Sequence, residues 1–200
     1  MNTTTLPLTP EVFNTGSTWE NYLSQMKDYG ATSARLYDEA TIPSDIIDGF
    51  AELVSRHGGR LSVSAMTEDW CGDSAVTLPY IARLAASVPG MELRVLIGMQ
   101  HPELKAAYEG DGMESIPLLS LFDKDWKEIG RWMERPKPAN PLVEAWVAAR
   151  PRIGELMGKD DPEAQRELKS IFAKLIPEMA DWYRGGLWRD ILIELREAAA

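Results

Sequence analysis

The segment Trp70-Cys71-Gly72-Asp73-Ser74 places the chain's single thiol between the end of an expected strand and the start of an expected helix. Unpaired backbone N–H groups at a helix start stabilise an anion, so such a position favours a thiolate and lowers the thiol pKa below its free value of about 8.5. Glu68, Asp69 and Asp73 act the other way, because nearby carboxylates oppose a second negative charge. A moderate shift is the expected balance. Ser74, one helical turn along, is placed to donate a hydrogen bond to the thiolate and cannot form a disulfide with it. The competing reading of a lone cysteine is a small buried hydrophobe with no chemistry at all.

The elements that must position this thiol follow from periodicity. Leu61, Val63 and Ala65 alternate with Ser62 and Ser64, which predicts a strand running into the polar turn before Cys71. A helix is expected from the motif to about Ser87. A second buried strand is predicted over 92–97, and a short helix over Pro102–Tyr108 is broken by Gly110-Asp111-Gly112. Ile116-Pro117 then opens a strand through Phe122, and Asp123-Lys124-Asp125 is the turn before a last strand over Glu128–Met133. Upstream, residues 1–16 read as a polar lead-in interrupted by Pro7, Pro10 and Gly16. Ser17 or Thr18 caps a helix through Tyr29 that Gly30 ends, and a helix from Ser44 stops at His57-Gly58-Gly59. This order of helices and strands predicts an α/β sheet, part parallel with an antiparallel edge pair, covered by helices.

From Pro138 onwards the strand signals cease. Leu142, Val143, Trp146 and Val147 begin a helical region. Asp160-Asp161-Pro162 opens a longer helix that Pro177 kinks or ends, and Gly185-Gly186 separates it from a terminal helix carrying Trp188, Ile191, Leu192 and Leu195. The aromatic group Trp182, Tyr183 and Trp188 reads as packing between the last two helices in preference to a partner surface.

Trp70, Cys71 and Gly72 resemble the W-C-G-x-C motif of the thioredoxin family, which occupies the same strand-to-helix turn. Ile116-Pro117 resembles that family's second anchor, a cis-proline preceded by an aliphatic residue beside the reactive thiol. The likeness covers about residues 40–150, with residues 1–39 as a helical lead-in and 151–200 as a helical extension packed on the domain. It implies a thioredoxin-like fold: a mixed central sheet flanked by helices, with a C-terminal helical extension. Cys71 becomes the nucleophile, Ser74 its hydrogen-bond donor, and Trp70, Gly72, Asp73, Ile116 and Pro117 the substrate groove.

This sequence departs from the family pattern at two positions. Ser74 stands where the family has its second cysteine, and Asp73 where it usually has proline. Without a resolving thiol the chain cannot complete ordinary dithiol reduction. What remains is a monothiol route, in which Cys71 exchanges with a glutathione-type or protein mixed disulfide and an external thiol resolves it. The implied partners are a thiol- or disulfide-bearing protein or a low-molecular-weight thiol, with no cofactor. The alternative is a non-catalytic binding module that uses the same groove for an extended segment.

Other function classes are disfavoured. Lys plus Arg number 21 against 31 Asp plus Glu, a net charge of −10 with no compact basic run, so neither nucleic acid nor an anionic membrane is an expected partner. His57 and His101 form no close-spaced ligand pair with Cys71, so no metal site is expected. Neither a G-x-x-x-x-G-K loop nor a G-x-S-x-G elbow occurs, and Ser64 and Glu68 stand where a peroxidase-type P-x-x-x-T-x-x-C needs proline and threonine. With one cysteine, no basic start followed by an apolar stretch, and no long apolar window, the expected setting is the cytoplasm.

Overall fold

Among the described residues, four strands form the middle of the molecule in the spatial order β2 (Met91–Ile97), β1 (Leu61–Thr67), β3 (Leu118–Phe122) and β4 (Glu128–Met133). This is a computed structural model, and it describes residues 6–199. The first five residues of the expected lead-in and the final residue of the expected extension lie outside the described residues.

Strand β1 (Leu61–Thr67) pairs parallel with β2 (Met91–Ile97) and antiparallel with β3 (Leu118–Phe122), which pairs antiparallel with β4 (Glu128–Met133). The mixed sheet read from the sequence is therefore the sheet observed. Along the chain, α1 (Pro10–Thr15), α2 (Trp19–Gln25), α3 (Gly30–Glu39) and α4 (Ser44–Arg56) precede β1. Helix α5 (Gly72–Ser87) joins β1 to β2, and α6 (Pro102–Gly110) lies between β2 and β3. After β4 come α7 (Asn140–Ala148), α8 (Arg152–Leu156), α9 (Pro162–Ala173), α10 (Leu175–Trp182) and α11 (Trp188–Ala198).

All seven residues of β1 are buried, including Ser62, Ser64 and Thr67. The alternation in the sequence suggests one wet face, but both faces are covered. Leu61, Val63 and Ala65 enter a large apolar cluster with residues from Trp19 through Ala199, while Met66 joins a second one with Leu8, Phe13, Leu104 and Tyr108. The polar groups on that second side satisfy one another: the Tyr108 and Ser120 hydroxyls lie 2.8 Å apart, and Ser120 donates to Glu128 at 3.0 Å.

Helix α5 carries Pro79 in its interior, which deprives the Ala75 carbonyl of its usual partner four residues on. The fully buried Ser33 hydroxyl of α3 donates to that carbonyl at 2.9 Å, so the break in the helix is filled from a neighbour. Helix α11 is fixed against β4 by Glu194, which accepts from Trp132 Nε1 at 2.9 Å and from the Lys137 N–H at 2.8 Å.

Two local expectations are corrected. The helix capped by Thr18 stops at Gln25, and Gly30 opens α3 instead of closing α2, because Tyr29 in the left-handed region (φ 61°) makes the break. Helix α3 escapes periodicity because Leu36 is its one buried large apolar side chain. In the lead-in, Pro10 is the first residue of α1, capped by the Thr9 hydroxyl, and does not interrupt the chain. The break expected at Pro177 is observed: α9 ends at Ala173, whose carbonyl a residue-177 N–H would otherwise reach, and Pro177 lies in the first turn of α10.

Candidate functional site

The thiol lies where β1 hands over to α5. Cys71 is the N-cap of α5, with its Sγ accepting from the Ser74 N–H at 3.4 Å, so the sulfur occupies the anion-favouring end of the helix. Across the sheet end, the Cys71 S–H donates to the Ile116 carbonyl at 3.4 Å. The Ile116–Pro117 peptide is cis. The Pro117 carbonyl in turn accepts from the Glu134 N–H at 2.8 Å, which draws the segment after β4 towards the thiol.

That segment delivers Arg135. Its guanidinium grips Asp73 through two hydrogen bonds, Nε to Oδ1 at 2.8 Å and Nη2 to Oδ2 at 2.6 Å, and also pairs with Glu134 at 2.7 Å. No sequence spacing announces a partnership between residues 73 and 135. Burial pushes the Asp73 carboxyl up from its ordinary value, and the bonds from Arg135 oppose this. Glu68, 8% exposed, accepts from the Met99 N–H at 2.8 Å, and Asp69 accepts from the Lys27 N–H at 3.4 Å.

The expected lowering of the thiol pKa is overturned. Cys71 is 5% exposed, and burial pushes its thiol above the ordinary value. The Ser74 side chain and the Ser74 and Asp73 N–H groups favour the thiolate, and the Asp73 charge opposes it. Loss of solvent around the sulfur outweighs the helix start. The Ser74 hydroxyl itself is shared, lying within hydrogen-bond reach of the buried Thr67 hydroxyl.

All the residues singled out in the sequence meet at this sheet end. Trp70 stands 58% exposed at the rim, while Cys71, Gly72, Asp73 and Ile116 line a cleft of about 670 Å³. Pro117 is buried directly behind Ile116. What the sequence reading missed is the opposite wall, made by Leu168 and Phe172 of α9 and by Leu175, Ile176 and Met179 of α10. The helices appended after the sheet thus form half of the site. Gly72 records the closeness, since a Cβ there would overlap Ile176 Cδ1. The apolar periodicity of α9 and α10 was the available signal, but it does not say which surface they cover. Among the described residues, no group of three or more His, Cys, Asp or Glu side chains is gathered to hold a metal, and no helix is long and apolar enough to cross a membrane.

The sequence model of the thioredoxin family matches residues 16–147. Among solved structures, a protein of unknown function from Pseudomonas aeruginosa is similar at 18% identity and a TM-score of 0.55, over 86% of this chain and 95% of that one. An HIV epitope-scaffold is similar at 17% identity and a TM-score of 0.54, over 95% of this chain and 98% of its own. These likenesses concern the fold. No curated protein matches.

Proposed function

This chain belongs to the thioredoxin family, and from that premise we propose that it is a thiol–disulfide exchange protein of monothiol type, with Cys71 as nucleophile. The observation that carries this reading is the placement of the one thiol at the N-cap of α5, facing a cleft beside Ile116-Pro117.

The chemistry balances with one sulfur. The Cys71 thiol loses its proton to solvent in the cleft, and the thiolate attacks one sulfur of a bound disulfide. A bond forms between Cys71 Sγ and that sulfur, the substrate's own S–S bond breaks, and the departing sulfur leaves as a thiolate that takes up a proton. An external low-molecular-weight thiol then attacks the mixed disulfide, carries the bound half away as a new disulfide, and restores the Cys71 thiol. Ser74 holds the thiolate through its N–H. Asp73 is neutralised as an opposing charge by Arg135, while Trp70, Gly72 and Ile116 bound the space for the substrate. A raised thiol pKa lowers the thiolate fraction at neutral pH but leaves each thiolate more nucleophilic, and holding the disulfide against the sulfur raises its effective concentration.

The burial of the thiol also supports a second reading, a non-catalytic module in which Cys71 packs and the cleft binds. One experiment separates them: native protein is incubated with hydroxyethyl disulfide, and the intact mass is read before and after addition of an external thiol. Exchange predicts one adduct, removed by the thiol and absent in Cys71→Ala. A Cys71 that stays unmodified in the native protein but is labelled in urea makes it a packing group.

The pH dependence has a fixed sign. Because the folded thiol titrates above its ordinary value of about 8.5, iodoacetamide should modify it more slowly at pH 7 than it modifies an unstructured cysteine peptide. The rate should keep climbing after the peptide's has levelled off. A plateau at lower pH than the peptide's would show that the helix start prevails over burial.

A further inference from the structure

Resting on the exchange reading above, we infer that the cleft selects a low-molecular-weight disulfide that has an apolar part and no net negative charge, and that α9 and α10 exclude polypeptide disulfides from Cys71. Three observations lead there.

The first is enclosure. Cys71 is 5% exposed, and the side of it that opens to the cleft is faced by the chain's own Leu168, Phe172, Leu175, Ile176 and Met179. A volume of about 670 Å³ falls within the range of small-molecule sites, about 300–1,000 Å³. A docked protein instead covers about 800 Å² of open surface on each partner. An extended polypeptide approaching Ile116 meets the α9–α10 wall, whereas a small disulfide fits between that wall and the sulfur.

The second is anchoring. Leu175, Ile176, Met179 and Ala180 of α10 are buried, and they belong to the same apolar cluster as the sheet residues Val63, Leu119 and Leu121. Displacing α10 to admit a protein would return those apolar side chains to water, which the burial they have in the fold opposes. The α10 part of the wall, next to the sulfur, belongs to the folded core, and that fixes the inner side of the sieve.

The third is charge. Asp73, Glu114 and Glu134 line the cleft against Arg135 and Lys169. Both cations are already engaged, Arg135 with Asp73 and Glu134, Lys169 with Asp28 at 3.0 Å. Glu114 is exposed, and no ion pair engages it among the described residues. The excess at the cleft is acidic, on a chain of net charge −10. An anionic disulfide such as oxidised glutathione would fit by size but is repelled, while a neutral or cationic one is not.

The test measures formation of the Cys71 mixed disulfide by intact mass at low ionic strength with cystamine, hydroxyethyl disulfide, dithiodipyridine, oxidised glutathione and insulin. Each rate is divided by the rate of the same reagent with an unstructured cysteine peptide, which removes intrinsic reactivity. Cystamine and the two neutral disulfides should exceed oxidised glutathione by about tenfold, cystamine's lead should shrink in high salt, and dithiodipyridine should exceed hydroxyethyl disulfide. Insulin should give no adduct. Glu114→Lys, a charge reversal in the cleft lining, should raise the oxidised glutathione rate severalfold relative to the hydroxyethyl disulfide rate. Phe172→Ala should widen the opening and let insulin react. Oxidised glutathione or insulin matching cystamine overturns the inference while leaving the exchange reading intact. If no small disulfide modifies the native protein although all of them label Cys71 in urea, the exchange reading falls, and this inference with it.

Discussion

The two walls of the cleft are held in place by different means. On the sheet side, every residue of β1 and β3 is buried, and the thiol's position follows from backbone pairing and the cap of α5. On the helical side the hold is uneven. Helix α10 buries Leu175, Ile176, Met179 and Ala180, and α11 behind it buries Ile191, Leu192 and Leu195, but α9 buries Ala164 alone. Helix α9 is held at its surface by Arg152–Glu167 at 2.7 Å and Lys169–Asp28 at 3.0 Å. The wall nearest the sulfur therefore shares the stability of the core, while the outer wall can change without disturbing the fold.

The largest effects test whether the helical side belongs to that core. Leu119→Ala in β3 and Ile191→Ala in α11, both fully buried, should each destabilise by about 3 kcal/mol in urea unfolding, in one shared transition. A separate early transition for Ile191→Ala would make the C-terminal helices an independent unit. Next in size is Arg135→Ala, which strands the Asp73 carboxylate in a mostly buried site and should cost about 2 kcal/mol. Because that carboxylate then stands unneutralised beside Cys71, alkylation of the thiol should also slow. A faster alkylation would mean that the pair restrains access more than it tunes charge.

Gly72→Ala sharpens the comparison at the point where the walls touch. Its methyl displaces the flexible end of Ile176 while improving helix propensity at the first residue of α5, so the net stability change should stay within about 1 kcal/mol. Alkylation of Cys71 should accelerate as Ile176 turns away, and an unchanged rate would show that α10 does not govern access. The smallest effect belongs to α9: Lys169→Ala removes a solvent-exposed pair and should be invisible in denaturation. A measurable loss there would mean that the outer wall is held as firmly as the inner one.

The sheet was legible because its strands are local patterns. Ile116 through Phe122 and Glu128 through Met133 announce themselves by apolar runs and turn residues, and the structure has strands at Leu118–Phe122 and Glu128–Met133. Helix α3 was not legible, since the buried Ser33 adds nothing to an apolar stripe and Leu36 is its one large buried apolar side chain. The titration of Cys71 was misjudged for a related reason. The sequence shows the helix start and the three carboxylates, but it does not show the water removed from the sulfur, and that removal is the largest influence on it.

By itself the sequence determined the thiol's address, between a strand and a helix, the absence of a second cysteine, and the order of elements that brings Ile116-Pro117 back to it. Each of these is carried by neighbouring residues or by composition, and so survives without coordinates. Tertiary structure alone decided that Arg135 neutralises Asp73 across 62 residues of chain, and that α9 and α10 close one side of the cleft. An amphipathic helix encodes that it must bury a face and leaves open which surface receives it, because apolar burial is nondirectional and the choice is made by the packing of the whole chain.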